Sequence, residues 1–108
     1  MTERAWKTAE RRAAAALGGQ RHIRFDRSES ACDVDHDLLS IECKYRKRLP
    51  TLVKAAMAQA ERYSDGARIP AAVLFERGQR GGFVVLRLSD FAELFGEFRS
   101  RSVKEEKP

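Results

Sequence analysis

The sequence predicts one α/β domain in which helices flank a mixed five-stranded sheet. Three segments show the apolar periodicity of helices, five short runs are typical of strands, and their order is helix, three strands, helix, two strands, helix. A chain of 108 residues is long enough for one modest core. We therefore assign residues 1–98 to a single domain and expect the charged, apolar-poor residues 99–108 to form a disordered tail.

The first helix is predicted over residues 2–17. Thr2 is a suitable N-cap, and Gly18 or Gly19 supplies the left-handed residue with which many helices end. Glu10 falls on the inward stripe, and a carboxylate there costs free energy unless it is paired or bound to a cation. The alternative is a partly exposed Glu10 that pairs with a neighbouring arginine. The stripe comprises Trp6, Glu10, Ala13 and Leu17.

Three strands are predicted between the first two helices. They cover residues 21–25, 32–35 and 38–45. In the second strand, Asp33 and Asp35 share the face opposite the apolar side chains. We expect His36 and Asp37 to form a tight link to the third strand, so that antiparallel pairing lays Asp33 near Glu42. The sequence leaves the register of this pair open.

The third strand places two charged residues on one face. Because side chains alternate in an extended chain, Glu42 and Lys44 share one face of the segment, and Leu39, Ile41 and Cys43 share the other. A core strand gains nothing from charge at these positions. Acidic groups and a lysine that converge at a sheet edge are what metal-assisted phosphodiester cleavage requires.

The second helix is predicted over residues 50–64, with Pro50 in its first turn. Gln59 lies next to the inward stripe of this helix, and an amide in such a place usually reaches either a backbone group or a ligand. Both interpretations of Gln59 remain open. The stripe comprises Leu52, Ala56, Ala60 and Tyr63.

Two further strands, a loop and a helix complete the domain. They are strands at 70–75 and 83–88, a basic hairpin loop at 78–82 and a helix at 91–98. The continuous apolar run of the first strand is typical of a strand covered on both faces, and the helix before it supplies the crossover that a parallel neighbour needs. Ser89 or Asp90 can cap the last helix.

The charge balance favours a polyanionic partner. The chain has 21 lysines and arginines against 16 acids, a formal charge of +5. The alternative is a soluble domain with an incidental basic balance. No apolar stretch reaches the roughly 20 residues that cross a bilayer. The N-terminus has a charged helical pattern, so we expect no signal peptide and a cytoplasmic location. Cys32 and Cys43 do not have the spacing typical of zinc ligands.

The acidic residues fit a magnesium site. Mg²⁺, for which Mn²⁺ is a possible substitute, prefers a few carboxylates together with waters and substrate oxygens. Asp33 and Glu42 would hold the ion, with the backbone carbonyl of Cys43 as a further ligand and Glu10 completing the shell directly or through water. Lys44 would stabilise the negative charge that develops in the reaction.

This combination resembles the PD-(D/E)xK nuclease superfamily and, within it, the small Holliday junction resolvase-like endonucleases. The most specific stretches are residues 30–33, Ser-Ala-Cys-Asp, and 39–46, Leu-Ser-Ile-Glu-Cys-Lys-Tyr-Arg. The resemblance implies a restriction-endonuclease-like core of order αβββαββα. It also implies catalytic roles for five residues, namely Glu10, Asp33, Glu42, Lys44 and Gln59. Cys32 stands where the family has proline, which leaves Asp35 as a second candidate for the acid before the hairpin.

The function expected from this resemblance is metal-dependent cleavage of branched DNA. Recognition by shape is expected, because no recognition-helix motif is present and few aromatic residues are available for stacking. Alternatives are a nicking, restriction or repair-type nuclease on duplex DNA, and a non-catalytic nucleic-acid-binding module. The residues expected to contact phosphates are Arg4, Lys7, Arg11, Arg46, Lys47, Arg48, Arg77 and Arg80.

A homodimer is expected because a four-way junction has two strands to cut and one small domain has one site. Resolvases of this kind are typically twofold dimers. We expect part of the C-terminal aromatic cluster to form an isologous interface. The alternative is ordinary packing of the third helix on the sheet. The cluster comprises Phe83, Phe91, Phe95 and Phe98.

Overall fold

The computed structural model describes the backbone of residues 3–21 and 34–106, and the side chains of 5–20 and 34–101. These residues form a mixed α/β structure, which confirms the predicted class at that level. The elements are helix α1 (Glu3–Leu17), strands β1 (Gln20–Arg21) and β2 (Val34–Asp35), helix α2 (Thr51–Arg62), strands β3 (Ala72–Phe75) and β4 (Gly82–Val85), and helix α3 (Leu88–Glu106).

The strands of the described residues form two separate antiparallel pairs, β1 with β2 and β3 with β4. The mixed five-stranded sheet is therefore not present in the described part of the chain. The chain divides into two compact units, Met1–Lys47 and Arg48–Pro108, and each is described by itself.

Helix α1 of the first unit ends at a glycine pair, as predicted. Gly18 adopts the left-handed conformation, with φ of 78°, and the N–H of Gly19 donates to the carbonyl of Ala14 at 2.9 Å. This is the hydrogen bond of a Schellman motif. A Cβ on Gly19 would lie 2.5 Å from the carbonyl oxygen of Asp35, so only glycine allows β2 to approach the helix end this closely. The predicted N-cap, Thr2, lies outside the described residues.

The core of the first unit lies between α1 and β2. Val34 has 0% of its surface exposed, and Ala14 and Glu10 are also buried. Trp6, Ala13 and Leu17 are half-buried. The pairing of β1 with β2 sets Gln20 opposite Asp35 and Arg21 opposite Val34; the rest of the predicted strand at 21–25 lies outside the described residues.

The predicted third strand, residues 38–45, is reduced to one antiparallel bridge between Ile41 and Val34. Its prediction as a strand was wrong for the other positions. The N–H groups of Leu38 and Leu39 donate to Nδ1 of His36 at 3.0 and 3.1 Å. Amide groups used in this way cannot also donate to a strand ladder, which accounts for the missing pairing at Leu38 and Leu39.

Helix α2 begins directly after Pro50, and the N–H of Lys54 donates to the Pro50 carbonyl at 3.3 Å. The helix ends at Arg62, two residues before the predicted end. Its inward face differs from the predicted stripe, because Leu52 and Tyr63 are exposed. Met57 is the buried residue of this helix, and α2 contacts β3. The half-buried residues of α2 are Val53, Ala56, Ala60 and Glu61.

Strands β3 and β4 form a hairpin in which Val73 lies opposite Val84 and Leu74 opposite Phe83. The N–H of Gln79 closes the turn on the Glu76 carbonyl at 3.1 Å. The hairpin loop was correctly predicted. The two-sided burial predicted for β3 was wrong, because its side chains alternate between inward and exposed positions. Its partner among the described residues, β4, is antiparallel.

Helix α3 is longer than predicted in both directions. It begins at Leu88, where the N–H of Phe91 donates to the Arg87 carbonyl at 3.0 Å. It continues to Glu106, so the charged segment assigned to a tail is helical wherever the structure describes it. None of the described helices combines the length and the apolar character needed to cross a bilayer.

An ion pair ties α2 to the segment between β4 and α3. Nε and Nη2 of Arg87 both lie 2.6 Å from Oε1 of Glu61. The hydrogen bond from Arg87 lowers the pKa of the Glu61 carboxyl from its ordinary value of 4.5. The same interaction raises the pKa of the Arg87 guanidinium.

Candidate functional site

The candidate site is centred on Glu42 and Lys44 in the first unit. Nζ of Lys44 lies 3.2 Å from Oε1 of Glu42, and the two side chains are 64% and 58% exposed. Ile41 and Cys43 are half-buried. The alternation expected of an extended segment is thus present, although the hydrogen-bond ladder of a strand is not. The segment offers a carboxylate and an ammonium to solvent on one face.

Two attachments hold this segment in place. Ile41 forms its bridge with Val34, which is fully buried against the rest of the first unit. On the other side of the turn, the ring of His36 accepts hydrogen bonds from the N–H groups of Leu38 and Leu39. The exposed acid and lysine are therefore carried by a backbone that is anchored both before and at Ile41.

His36 connects this turn to the end of α1. Its Nε2 lies 2.8 Å from the carbonyl oxygen of Leu17. Because Nδ1 accepts from two N–H groups, the hydrogen of the neutral ring is on Nε2, which donates to Leu17. The Asp37 carboxylate lies 3.3 Å from Nδ1, but a nitrogen that accepts has no hydrogen to donate, so this approach is not an ion pair.

The sequence interpretation missed the role of His36. It treated the residue only as part of the tight link to the third strand. The sequence did contain a signal for this role. His36 is a side-chain acceptor that precedes the N–H groups of Leu38 and Leu39 by two and three residues, which is the spacing of Asx-type turns. The ring is fully buried, so His36 is a positioning residue for the segment that carries Glu42.

Glu10 is buried in α1, with 2% of its surface exposed. The prediction that it faces inward is confirmed, and the alternative of a partly exposed Glu10 is wrong. Among the described residues, every buried polar side-chain atom has a hydrogen-bond partner. The free-energy cost of burying the Glu10 carboxylate is therefore offset by hydrogen bonding. Glu10 belongs to the same unit as Glu42.

The other predicted site acids and Gln59 are placed less favourably. Asp33 lies outside the described residues. Asp35, the second candidate, is exposed on β2 opposite Gln20. Gln59, predicted next to the inward stripe of α2, is exposed in the second unit.

The described residues do not by themselves complete a metal centre. Within residues 3–21 and 34–106, no group of three or more His, Cys, Asp or Glu side chains is arranged to hold an ion. Carboxylate oxygens such as those of Glu42 and Glu10 are chemically suited to Mg²⁺. A full ligand set would need a contribution from outside these residues, and Asp33 is the predicted one.

The basic residues expected at a phosphate backbone are almost all exposed. Lys7 is half-buried, and the side chain of Arg4 lies outside the described set. Arg46 donates from Nη1 to the carbonyl of its neighbour Tyr45 at 3.0 Å. The exposed residues are Arg11, Arg46, Lys47, Arg48, Arg77 and Arg80.

Comparison of the chain with known protein families, with curated proteins and with solved structures finds no match in any of the three.

Proposed function

We propose that this chain is a metal-dependent DNA endonuclease of the cytoplasm, with Holliday junctions or related branched DNA as its substrate. The observation that carries the proposal is the exposed pair of Glu42 and Lys44, whose charged atoms lie 3.2 Å apart. The formal charge of +5 supports a polyanionic substrate. The pair lies in the same unit as the buried carboxylate of Glu10.

The proposed chemistry is hydrolysis of a phosphodiester bond. A divalent ion bound here would supply an activated water and neutralise phosphate charge. Glu42 is the exposed ligand for it, and Glu10 completes the ligand shell from α1. The ammonium of Lys44 stabilises the negative charge that develops on the phosphate oxygens as the water adds. Asp33 is the further acid that this arrangement requires.

The antiparallel bridge between Val34 and Ile41 supports Asp33 over Asp35. An antiparallel ladder that extended this register would set position 33 opposite Glu42 and Asp35 opposite Ser40. Position 33 is therefore the better placed of the two to share a metal ion with Glu42. With this function we propose the finer fold class as well, the mixed five-stranded, restriction-endonuclease-like sheet flanked by helices.

The test is Glu42→Gln, which removes the charge with little change in shape. Wild type and variant are incubated with four-way, flap, nicked and linear DNA in Mg²⁺ or Mn²⁺. We expect the variant to lose about 100-fold or more of the cleavage rate and to bind the four-way junction at least as well as the wild type. Glu76→Gln, at an exposed position of the hairpin turn, is the matched control and should cleave normally.

A non-catalytic nucleic-acid-binding module is the second candidate, because the described residues contain no three-ligand metal group. Junction binding by the wild type without any cleavage in either metal would overturn the enzyme proposal in favour of this module. Preferential cleavage of linear duplex would instead reject branched DNA as the substrate. In both cases binding should weaken steeply with salt if phosphate contacts dominate.

A further inference from the structure

The two most exposed phenylalanines of the described residues lie at the tip of the β3–β4 hairpin, residues 75–83. Phe75 is the last residue of β3 and is 77% exposed, and Phe83 is the second residue of β4 and is 75% exposed. From the sequence we expected few aromatic side chains to be available for stacking, and these two rings are the exception. Large apolar rings held in water favour a partner that covers them.

The two rings lie on opposite faces of the hairpin. Leu74 pairs with Phe83 and Phe75 pairs with Gly82, and because side chains alternate along a strand, Phe75 and Phe83 cannot share a face. A Cβ on Gly82 would lie 3.0 Å from Cδ1 and Cε1 of Phe75, so the Phe75 ring lies against the glycine backbone. Each face of the hairpin tip therefore presents one ring to solvent.

A basic turn joins the two strands just beyond the rings. Arg77 and Arg80 are exposed, and with Glu76 as the one acid they give residues 75–83 a net charge of +1. Gly78 has φ of 84°, a left-handed conformation that closes the turn without steric cost. Guanidinium groups suit phosphate oxygens, and aromatic rings beside cationic groups are typical of surfaces that stack on nucleic-acid bases.

The thickness of the hairpin restricts where this tip can enter DNA. Bases follow one another at about 3.4 Å along a duplex, whereas a sheet with side chains on both faces occupies a layer about 10 Å thick. A continuous duplex would have to open to about three times its base spacing to admit the tip. At a branch point the ends of two arms already face each other, and each end exposes a base pair that is unstacked on one side.

We propose that the hairpin tip binds the branch point of DNA, with Phe75 and Phe83 each stacked on the terminal base pair of one arm. Arg77 and Arg80 contact the adjoining phosphates. This inference rests on the proposed function for DNA as the partner, and it adds the part of the substrate that is recognised. Phe83 also belongs to the aromatic cluster expected at a homodimer interface, and that homodimer stays a prediction.

The experiment measures binding in EDTA, where no cleavage occurs, by fluorescence anisotropy of a labelled four-way junction and a continuous linear duplex. Phe75→Ala and Phe83→Ala should each weaken junction binding about tenfold and leave duplex binding unchanged. Phe75→Tyr should bind the junction normally, whereas Phe75→Leu, which is apolar but has no ring, should lose as much as Phe75→Ala. Tyr63→Ala removes a side chain that is also 75% exposed, at the end of α2, and is the matched control.

A second measurement separates stacking from charge. Arg77→Gln with Arg80→Gln should weaken junction binding and reduce the slope of log affinity against log salt by about 2, because two phosphate contacts are lost. The phenylalanine variants should keep the wild-type slope, since a ring releases no counterions from DNA. Far-UV circular dichroism establishes that each variant keeps the wild-type secondary structure.

Equal losses of junction and duplex binding in Phe75→Ala and Phe83→Ala would overturn the proposal, because the rings would then not distinguish a branch. So would wild-type junction affinity in both variants, or a Phe75→Leu variant that binds as the wild type does. The proposed function fails separately. Ring-dependent junction binding by a wild type that cleaves no DNA in Mg²⁺ or Mn²⁺ would reject the nuclease and support this inference, and cleavage with ring-independent binding would reject this inference alone.

Discussion

Replacing His36 by alanine should destabilise the first unit and release the segment that carries Glu42 and Lys44. The imidazole makes three hydrogen bonds, at 2.8, 3.0 and 3.1 Å. Each is expected to contribute on the order of 0.5–1 kcal/mol, since some of the freed backbone groups can be rehydrated. Loss of a fully buried ring adds on the order of 1 kcal/mol for packing. We therefore expect a total loss of about 2.5–4 kcal/mol in the free energy of unfolding.

The matched variant is His36→Asn. The Oδ1 atom of asparagine can occupy nearly the position of Nδ1 and accept from the N–H groups of Leu38 and Leu39. It cannot reach the carbonyl of Leu17. His36→Asn should therefore lose only about 1 kcal/mol, mainly from that one hydrogen bond and from the smaller side chain.

Urea unfolding followed by the fluorescence of Trp6 measures these changes where they occur. Trp6 is the single tryptophan of the chain and lies on α1, so its signal reports on the first unit. A loss below about 0.5 kcal/mol for His36→Ala, or equal losses for the alanine and asparagine variants, would refute the assigned hydrogen bonds. If the nuclease proposal holds, His36→Ala should also cleave DNA more slowly.

Two further predictions concern stability. Gly19→Ala should lower the free energy of unfolding by about 1–3 kcal/mol, because its Cβ would press on the Asp35 carbonyl. Gly18→Ala is strained only by its positive φ and should lower it by about 1 kcal/mol. Urea unfolding of both variants measures the two losses. The ion pair with Arg87 lowers the Glu61 pKa, so its stabilisation is complete above pH 4.5 and is lost as the pH falls further below that value. Glu61→Gln should remove this part of the acid sensitivity, measured as the change in urea midpoint with pH.

Local chemistry accounts for the features that were predicted correctly. The end of α1 follows from Gly18, which takes the left-handed conformation at no steric cost. The inward position of Glu10 follows from its place on a helical stripe, and the β3–β4 hairpin follows from two apolar runs around a glycine-rich loop. In each case the residues that determine the structure are within a few positions of it.

The inward face of α2 was predicted incorrectly because two stripes on one helix were nearly equivalent. Ala56 and Ala60 belong to both, and the choice between Leu52 and Met57 depends on where the helix contacts β3. Burial of Met57 leaves Leu52 and Tyr63 exposed. Periodicity defines a candidate face, and packing against another element selects it.

By itself the sequence determined the mixed α/β class, the glycine-terminated first helix, the inward glutamate and the side-by-side placement of Glu42 and Lys44. Only the tertiary structure decided that residues 38–45 form one bridge instead of a strand. A backbone N–H donates to the acceptor that reaches it first in space, and here that acceptor is the buried ring of His36. What holds the ring in place to accept these hydrogen bonds is its burial and its contact with the Leu17 carbonyl, which lies 19 positions earlier in the chain, and the spacing from His36 to Leu38 and Leu39 does not encode that contact.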